Sequence, residues 1–186
     1  MCGLVGYLSN QNILVAPDVL LSKMADCIAH RGPDDFGVWH DSNAGIGLAH
    51  RRLSVVDLSS AGHQPMHAAG GRYILVFNGE IYNHSKLRSE LEASNHSLNW
   101  NGNSDTETLL AGFEEWGVEP TIQRSIGMFA IALWDKQTNT LTLARDRIGE
   151  KPLYYGWQGD TFLFGSELKA MKSHPDFKAE IDRNAL

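Results

Sequence analysis

The chain has 186 residues, 42% of them hydrophobic, and a formal net charge of −6. That is enough apolar content for one good core, and too acidic, without any run of Lys or Arg, for a nucleic-acid surface. No apolar stretch approaches the roughly 20 residues a membrane span needs, and no basic region precedes an apolar one at the N-terminus, so neither anchoring nor export is predicted. The cytoplasm is the expected compartment, and the two cysteines, Cys2 and Cys27, are expected to be reduced thiols.

Residues 2–9 read as a buried strand, and Ser9-Asn10-Gln11-Asn12 as a polar turn. Val19, Leu20, Met24, Cys27 and Ile28 recur at helical spacing, which predicts an amphipathic helix over residues 17–30 with Pro17 and Asp18 at its start. His30-Arg31-Gly32-Pro33-Asp34-Asp35 reads as a tight loop. Short strands are predicted at 36–40 and 45–49, with another starting at Arg52 and running to Val56, followed by a loose stretch from 59 to 71.

Tyr73 to Phe77 is an apolar β run that should break at Asn78-Gly79, a pair favouring positive φ and a sharp turn. Leu87 and Leu91 mark a helix over 83–94. Ser104-Asp105-Thr106-Glu107 is a capping box ahead of Leu109, Leu110, Phe113 and Trp116 at core-facing spacing. Beyond Pro120 the pattern turns strand-like, with strands over 128–134, 140–145, 153–157 and 161–165 reading as two antiparallel hairpins. A short helix begins at Glu167. Strands, then helices, then strands predict an α+β domain of stacked layers.

The candidate chemistry starts at Cys2. Aminopeptidases usually remove Met1 ahead of a small residue, which would place a thiol and a free α-amine on one residue. Only about 3% of a free thiol is ionised at pH 7, so a base is useful, and an α-amine with a pKa of about 7.7–8.0 can accept the thiol proton. The bland alternative is a small apolar residue opening a strand. Asn78-Gly79-Glu80 can offer an amide donor, a backbone N–H and a carboxylate, the parts of an oxyanion hole, although Asn-Gly is first of all a turn signal. Asp105 equally suits a first helical turn. Arg51 and Arg52 point to opposite faces if one strand includes both, so one can enter a pocket where a guanidinium fork suits a carboxylate. The eight histidines show no paired metal spacing, and no Gly-rich dinucleotide or Walker-type loop is present.

In combination these motifs resemble the N-terminal glutaminase domain of class II glutamine amidotransferases, specifically that of the glutamine-hydrolysing asparagine synthetases. The resemblance runs through Met1-Cys2-Gly3, His30-Arg31-Gly32-Pro33-Asp34, Ala49-His50-Arg51-Arg52-Leu53-Ser54 and Phe77-Asn78-Gly79-Glu80-Ile81-Tyr82-Asn83. It continues through Ser104-Asp105-Thr106-Glu107, Gly127-Met128-Phe129-Ala130 and the stretch from Arg145-Asp146-Arg147 to Lys151-Pro152-Leu153-Tyr154-Tyr155.

The resemblance implies an N-terminal-nucleophile hydrolase fold, a four-layer αββα sandwich of two antiparallel sheets. It implies that Cys2 attacks the side-chain amide of L-glutamine to form a glutamyl thioester, with Asn78 and Gly79 holding the oxyanion. Arg52 would bind the substrate α-carboxylate, Glu80 and Asp105 its α-ammonium, and Leu53, Ser54, Val55 and Val56 would line the pocket. Residues 1–170 would form the amidotransferase domain and 171–186 the start of a linker to an ATP-dependent synthetase domain. That domain's Ser-Gly-Gly-x-Asp loop does not occur here. No cofactor or metal is implied for this part; ATP and magnesium belong to the synthetase part, and a homodimer is compatible with the family. Two other readings stay open: a domain serving another acceptor, such as a sugar acid, and a non-catalytic interaction module of the same fold. A hydrolase of another amide is disfavoured by the zwitterion-matching set Arg52, Glu80 and Asp105.

Overall fold

The computed structural model describes residues 1–11, 15–55, 57–94 and 98–180. The chain runs β1 (Gly3–Ser9), α1 (Pro17–Asp26), β2 (Asp35–Asp41), β3 (Ile46–Arg52), β4 (Met66–His67), β5 (Tyr73–Ile81), α2 (His84–Ser94) and α3 (Asp105–Glu115). It continues with α4 (Val118–Arg124), β6 (Gly127–Asp135), β7 (Thr140–Arg145), β8 (Tyr154–Gln158), β9 (Thr161–Gly165) and α5 (Leu168–Met171), with single 3-10 turns at Ala29–Arg31 and Ser60–Gly62.

The strands form two antiparallel sheets, ordered β2-β3-β1-β9-β8 and β4-β5-β6-β7. Side-chain alternation sorts each strand between two cores. Leu4, Ile46, Leu48, Ile74, Val76, Ala130, Ala132, Trp134 and Phe164 come from both sheets and fill the space between them. Their neighbours in sequence face outward. Val5, Tyr7, Ala49 and Leu163 pack under α1 and α5; Leu75, Phe77, Phe129, Ile131 and Leu133 pack under α2 and α3. Helices therefore cover the outer face of each sheet, the four-layer αββα sandwich implied by the resemblance. Strands buried on both faces read as continuous apolar runs rather than alternating ones, which is why Tyr73 to Phe77 and Met128 to Trp134 stood out.

Four sequence expectations change. The predicted strand from Arg52 to Val56 does not exist separately: β3 continues through His50, Arg51 and Arg52, whose partners are Gly37, Phe36 and Asp35 on β2, and Val56 lies outside the described residues. The predicted break at Asn78-Gly79 is absent, because β5 pairs with β6 from Tyr73 to Ile81 without interruption. A Cβ on Gly79 would stand 2.3 Å from Met128 O and 2.7 Å from Phe129 Cα, so this glycine serves close strand approach rather than a turn. α1 ends at Asp26, short of His30, with the 3-10 turn taking over. Finally α4 occupies a stretch without a predicted helix, entered through Gly117 at φ 89°. The capping box at Ser104 is half formed. Its Oγ accepts from Glu107 N at 3.2 Å, while the Glu107 carboxylate turns to the N–H groups of Asn101 and Gly102.

Packing continues past α5: His174 is buried and Phe177 lies against the α1 core. No helix of the described residues is long and apolar enough to cross a membrane.

Candidate active site

Period-2 alternation decides which side chains meet. On β3, Ile46 and Leu48 point between the sheets, so His50 and Arg52 follow them inward while Arg51 faces α1. On β5, Ile74 and Val76 lead in the same way to Asn78 and Glu80. On β1, Leu4 leads back to Cys2, and one step beyond the Gly3↔Arg51 pairing brings Cys2 beside Arg52. The inward residues at this end of the sandwich surround a cavity of about 260 Å³, lined by Cys2, Arg52, Leu53, Val55, Asn78, Gly79, Glu80 and Asp105 among others, enough for one small amino acid. Ser54 is not in the lining: its N–H donates to Asp34 Oδ2 at 2.8 Å. Val56 lies outside the described residues.

Cys2 is half-buried. Its sulfur accepts from Leu53 N at 3.4 Å and lies 3.5 Å from Leu53 O. Burial pushes the thiol pKa up; the Leu53 N–H, the N-terminal charge and Arg52 pull the other way. A thiol whose pKa is raised in this way is less ionised near neutral pH than a free one. Its position is set by the motif around Gly32. Arg31 Nε donates to Cys2 O at 2.9 Å, and Arg31 Nη1 pairs with Glu167 at 3.0 Å. Gly32 lies so close to β3 that a Cβ would stand 2.3 Å from Arg51 C, and Asp34 holds the loop after β3 through Ser54.

Asn78 is 1% exposed, and its Nδ2 has no hydrogen-bond partner. A buried amide donor left unpaired at a cavity wall is an invitation to an acceptor. Beside it, Phe77 N donates to Gln64 Oε1 at 2.7 Å and Ile81 N to Asp105 Oδ2 at 2.9 Å. Strand geometry turns the Gly79 N–H to that same edge, between two N–H groups already taken. Asn78 Nδ2 and Gly79 N–H thus offer two donors to one space.

Arg52 is buried, with Nη1 donating to Ser59 O at 2.9 Å and Nη2 to Asp57 O. Gly62 makes room for it, since a Cβ there would stand 2.1 Å from Nη2. A guanidinium carries five N–H donors, so donors remain for a ligand. Asp105 opens α3, buried, with its pKa raised by burial against the Ile81 hydrogen bond. Glu80 is exposed at the rim. Beneath the cavity, His50 Nε2 lies 2.9 Å from Phe77 O and so carries the proton. Full burial lowers its pKa to about 4, making it a neutral tie between the two sheets.

The structure therefore gathers Cys2, Arg52, Asn78, Gly79 and Asp105 from four separate elements. Sequence reasoning missed Gln64, which lies in the stretch read as loose, and Lys151, noted only within a family motif. Gln64 is buried and braces β5 against Thr106, its Nε2 lying 3.4 Å from Thr106 Oγ1.

Residues 1–186 match a family model described as a glutamine amidotransferase domain. Asparagine synthetase [glutamine-hydrolyzing] 3 of Bacillus subtilis (strain 168) is 43% identical over 188 residues, spanning 100% of this chain and 30% of that protein. Asparagine synthetase [glutamine-hydrolyzing] 1 of the same organism is 41% identical, spanning 100% of this chain and 29% of its own length. The chain thus spans less than a third of these two relatives. Among solved structures, the glutamine phosphoribosylpyrophosphate amidotransferase from B. subtilis superposes with a TM-score of 0.74 at 19% identity, over 92% of this chain and 43% of that one. The chain belongs to the glutamine amidotransferase domain family.

Proposed function

We propose that this domain hydrolyses L-glutamine to glutamate and ammonia, with Cys2 as the nucleophile of the mature chain. The observation that carries the reading is the shared cavity of the Cys2 thiol, the unpaired Asn78 amide and the Gly79 N–H. With Met1 removed, the α-amine of Cys2 takes the thiol proton, directly or through a water, and the thiolate attacks Cδ of glutamine. Asn78 Nδ2 and Gly79 N–H hold the oxyanion. The amine returns its proton to the leaving nitrogen, so ammonia departs and a glutamyl thioester remains. Water, deprotonated by the same amine, attacks the thioester; glutamate leaves and the thiol is restored.

Substrate recognition follows from charge. The Arg52 fork suits the α-carboxylate, while Asp105 and Glu80 suit the α-ammonium. An arriving cation also favours the ionised form of Asp105, against the effect of burial. Leu53 and Val55 would close the apolar side of the pocket.

The full-length relatives support a wider reading, in which residues 1–170 form this domain and the following residues lead to a synthetase domain. That domain would use the ammonia, with ATP and magnesium, to amidate aspartate. Contact with that domain, a homodimer and a cytoplasmic location belong to the same proposal. Glutamate release over time by the processed chain and by Cys2→Ala tests the core of it: the variant should lose release by at least about 10³-fold. Undiminished release would exclude Cys2 as the nucleophile.

A further inference from the structure

Lys151 is 7% exposed and lines the same cavity. Its backbone is held in place, the N–H donating to Asp146 Oδ2 at 3.0 Å and the carbonyl accepting from Arg145 Nε at 2.6 Å. Asp146 also accepts from Phe129 N and Glu150 N, and Gly149 takes φ 71°, so the whole turn is built to deliver residue 151 to the cavity. The ammonium contacts Met1 Sδ at 3.6 Å. Among the described residues no carboxylate forms an ion pair with it. A thioether is a weak acceptor, and burying an ammonium without a better partner is unfavourable. On the proposed mechanism Met1 is moreover absent from the active chain.

The other charged groups around the start of β1 set the problem such a cation can solve. Arg31, from the turn after α1, is offset by Glu167, and Arg52 is committed to the loop carbonyls of Asp57 and Ser59 and to the substrate carboxylate. His50 from β3 is neutral. Glu80 from β5 and Asp105 from α3 are acids, and both favour a protonated α-amine, the wrong state for a base. A buried ammonium nearby opposes them.

We infer that Lys151 is a positioning residue acting through the α-amine of Cys2: once Met1 is gone, its ammonium stands near the new N-terminus and favours the neutral, proton-accepting form of that amine. The proton that moves in the reaction is the thiol's. The inference rests on the assignment of Cys2 as nucleophile.

The test uses the processed chain, with Met1 removal verified by mass. The pH profile of kcat/KM for glutamine hydrolysis is compared for the parent, Lys151→Met and Lys151→Arg. Separately, the α-amine is titrated in a Cys2→Ser background, with and without Lys151→Met or Lys151→Arg, through the pH dependence of acetic anhydride labelling of the N-terminal peptide. Lys151→Met should raise the acid-limb pKa and the amine pKa by about one unit and lower the pH 6 rate about tenfold, with KM within about twofold. Lys151→Arg, which keeps the charge, should stay near the parent. An amine pKa unmoved by Lys151→Met overturns the inference even if the rate falls; should that variant not fold, an amine pKa raised in Lys151→Arg overturns it. Glutamate release surviving Cys2→Ala would instead remove the nucleophile assignment, and the amine titration would still decide the role of Lys151.

Discussion

Arg51 and Arg52 are consecutive residues of β3 that serve opposite faces of one sheet. Arg51 reaches the helix layer, lying 4.3 Å over the Phe36 ring and bonding Asp26 and Ala25 O on α1, while Arg52 enters the cavity. Residue type and strand alternation alone left open which of the two would meet a substrate, and the resemblance implied Arg52. Replacing Arg52 with Met should lower kcat/KM for glutamine about 10- to 100-fold, mainly through KM, by removing the carboxylate's charged partner. Replacing Arg51 with Met should leave KM within about twofold and change stability by about 1 kcal/mol or less, because Asp26 is two-thirds exposed. Steady-state kinetics with both variants checks this, and equal KM effects would contradict it.

Asn78 separates catalysis from stability. Its Nδ2 has no partner in the fold, so Asn78→Ala gives up no protein hydrogen bond through that atom. The expected outcome is a kcat loss of about 10²–10³-fold with unfolding free energy within about 1 kcal/mol of the parent. Paired kinetics and urea unfolding measure both quantities. A large stability loss with kcat retained would mean that the amide is structural.

His50 makes the fold sensitive to mild acid. Its pKa falls from 6.5 to about 4 on folding, so below pH 6.5 the unfolded chain takes up a proton that the native histidine refuses. Stability is then full above about pH 6.5 and declines as pH falls toward 4, by up to about 3 kcal/mol. Glu167, held at about 2 by Arg31, Lys169 and His30 against the upward push of burial, loses its contribution only below about pH 4.5. Urea midpoints between pH 7 and pH 4.5 should therefore fall in the parent and fall less in His50→Gln; parallel curves would rule out His50 as the source.

Gly32 is fixed by proximity. A Cβ there would meet Arg51 C, Arg51 O and Arg52 N within 2.5 Å, all backbone atoms that cannot swing aside. Gly32→Ala should destabilise by more than about 2 kcal/mol and should also raise KM, since the displaced strand carries Arg52. Thermal unfolding together with KM checks it, and a neutral substitution would show that the loop can move away from β3.

The parts of this protein legible in the sequence were those with a local cause. The Ser104 cap, the helix stripe from Leu109 to Phe113 and the apolar runs of the inner strands arise from neighbours within a few residues, and the motif order from Met1 to Tyr155 carried the resemblance. Local signals misled where a partner strand prevailed. Asn78-Gly79 has the composition of a turn, yet nine residues of β5 pair with β6 straight through it, and continuous ladder bonds outweigh a dipeptide preference. Likewise α4 has seven residues including Pro120, too short for a periodic signal.

The sequence by itself determined the composition of the site: a thiol near the N-terminus, an amide with a glycine after it, an arginine pair and two acids. Only the tertiary structure decided that Arg52 faces the cavity, that the Asn78 amide is left unpaired, and that Lys151 reaches the same space from a distant loop. The physical reason is that residue type is a local property, whereas a side chain's facing and its remaining partners depend on strand register and on the groups that other segments bring alongside.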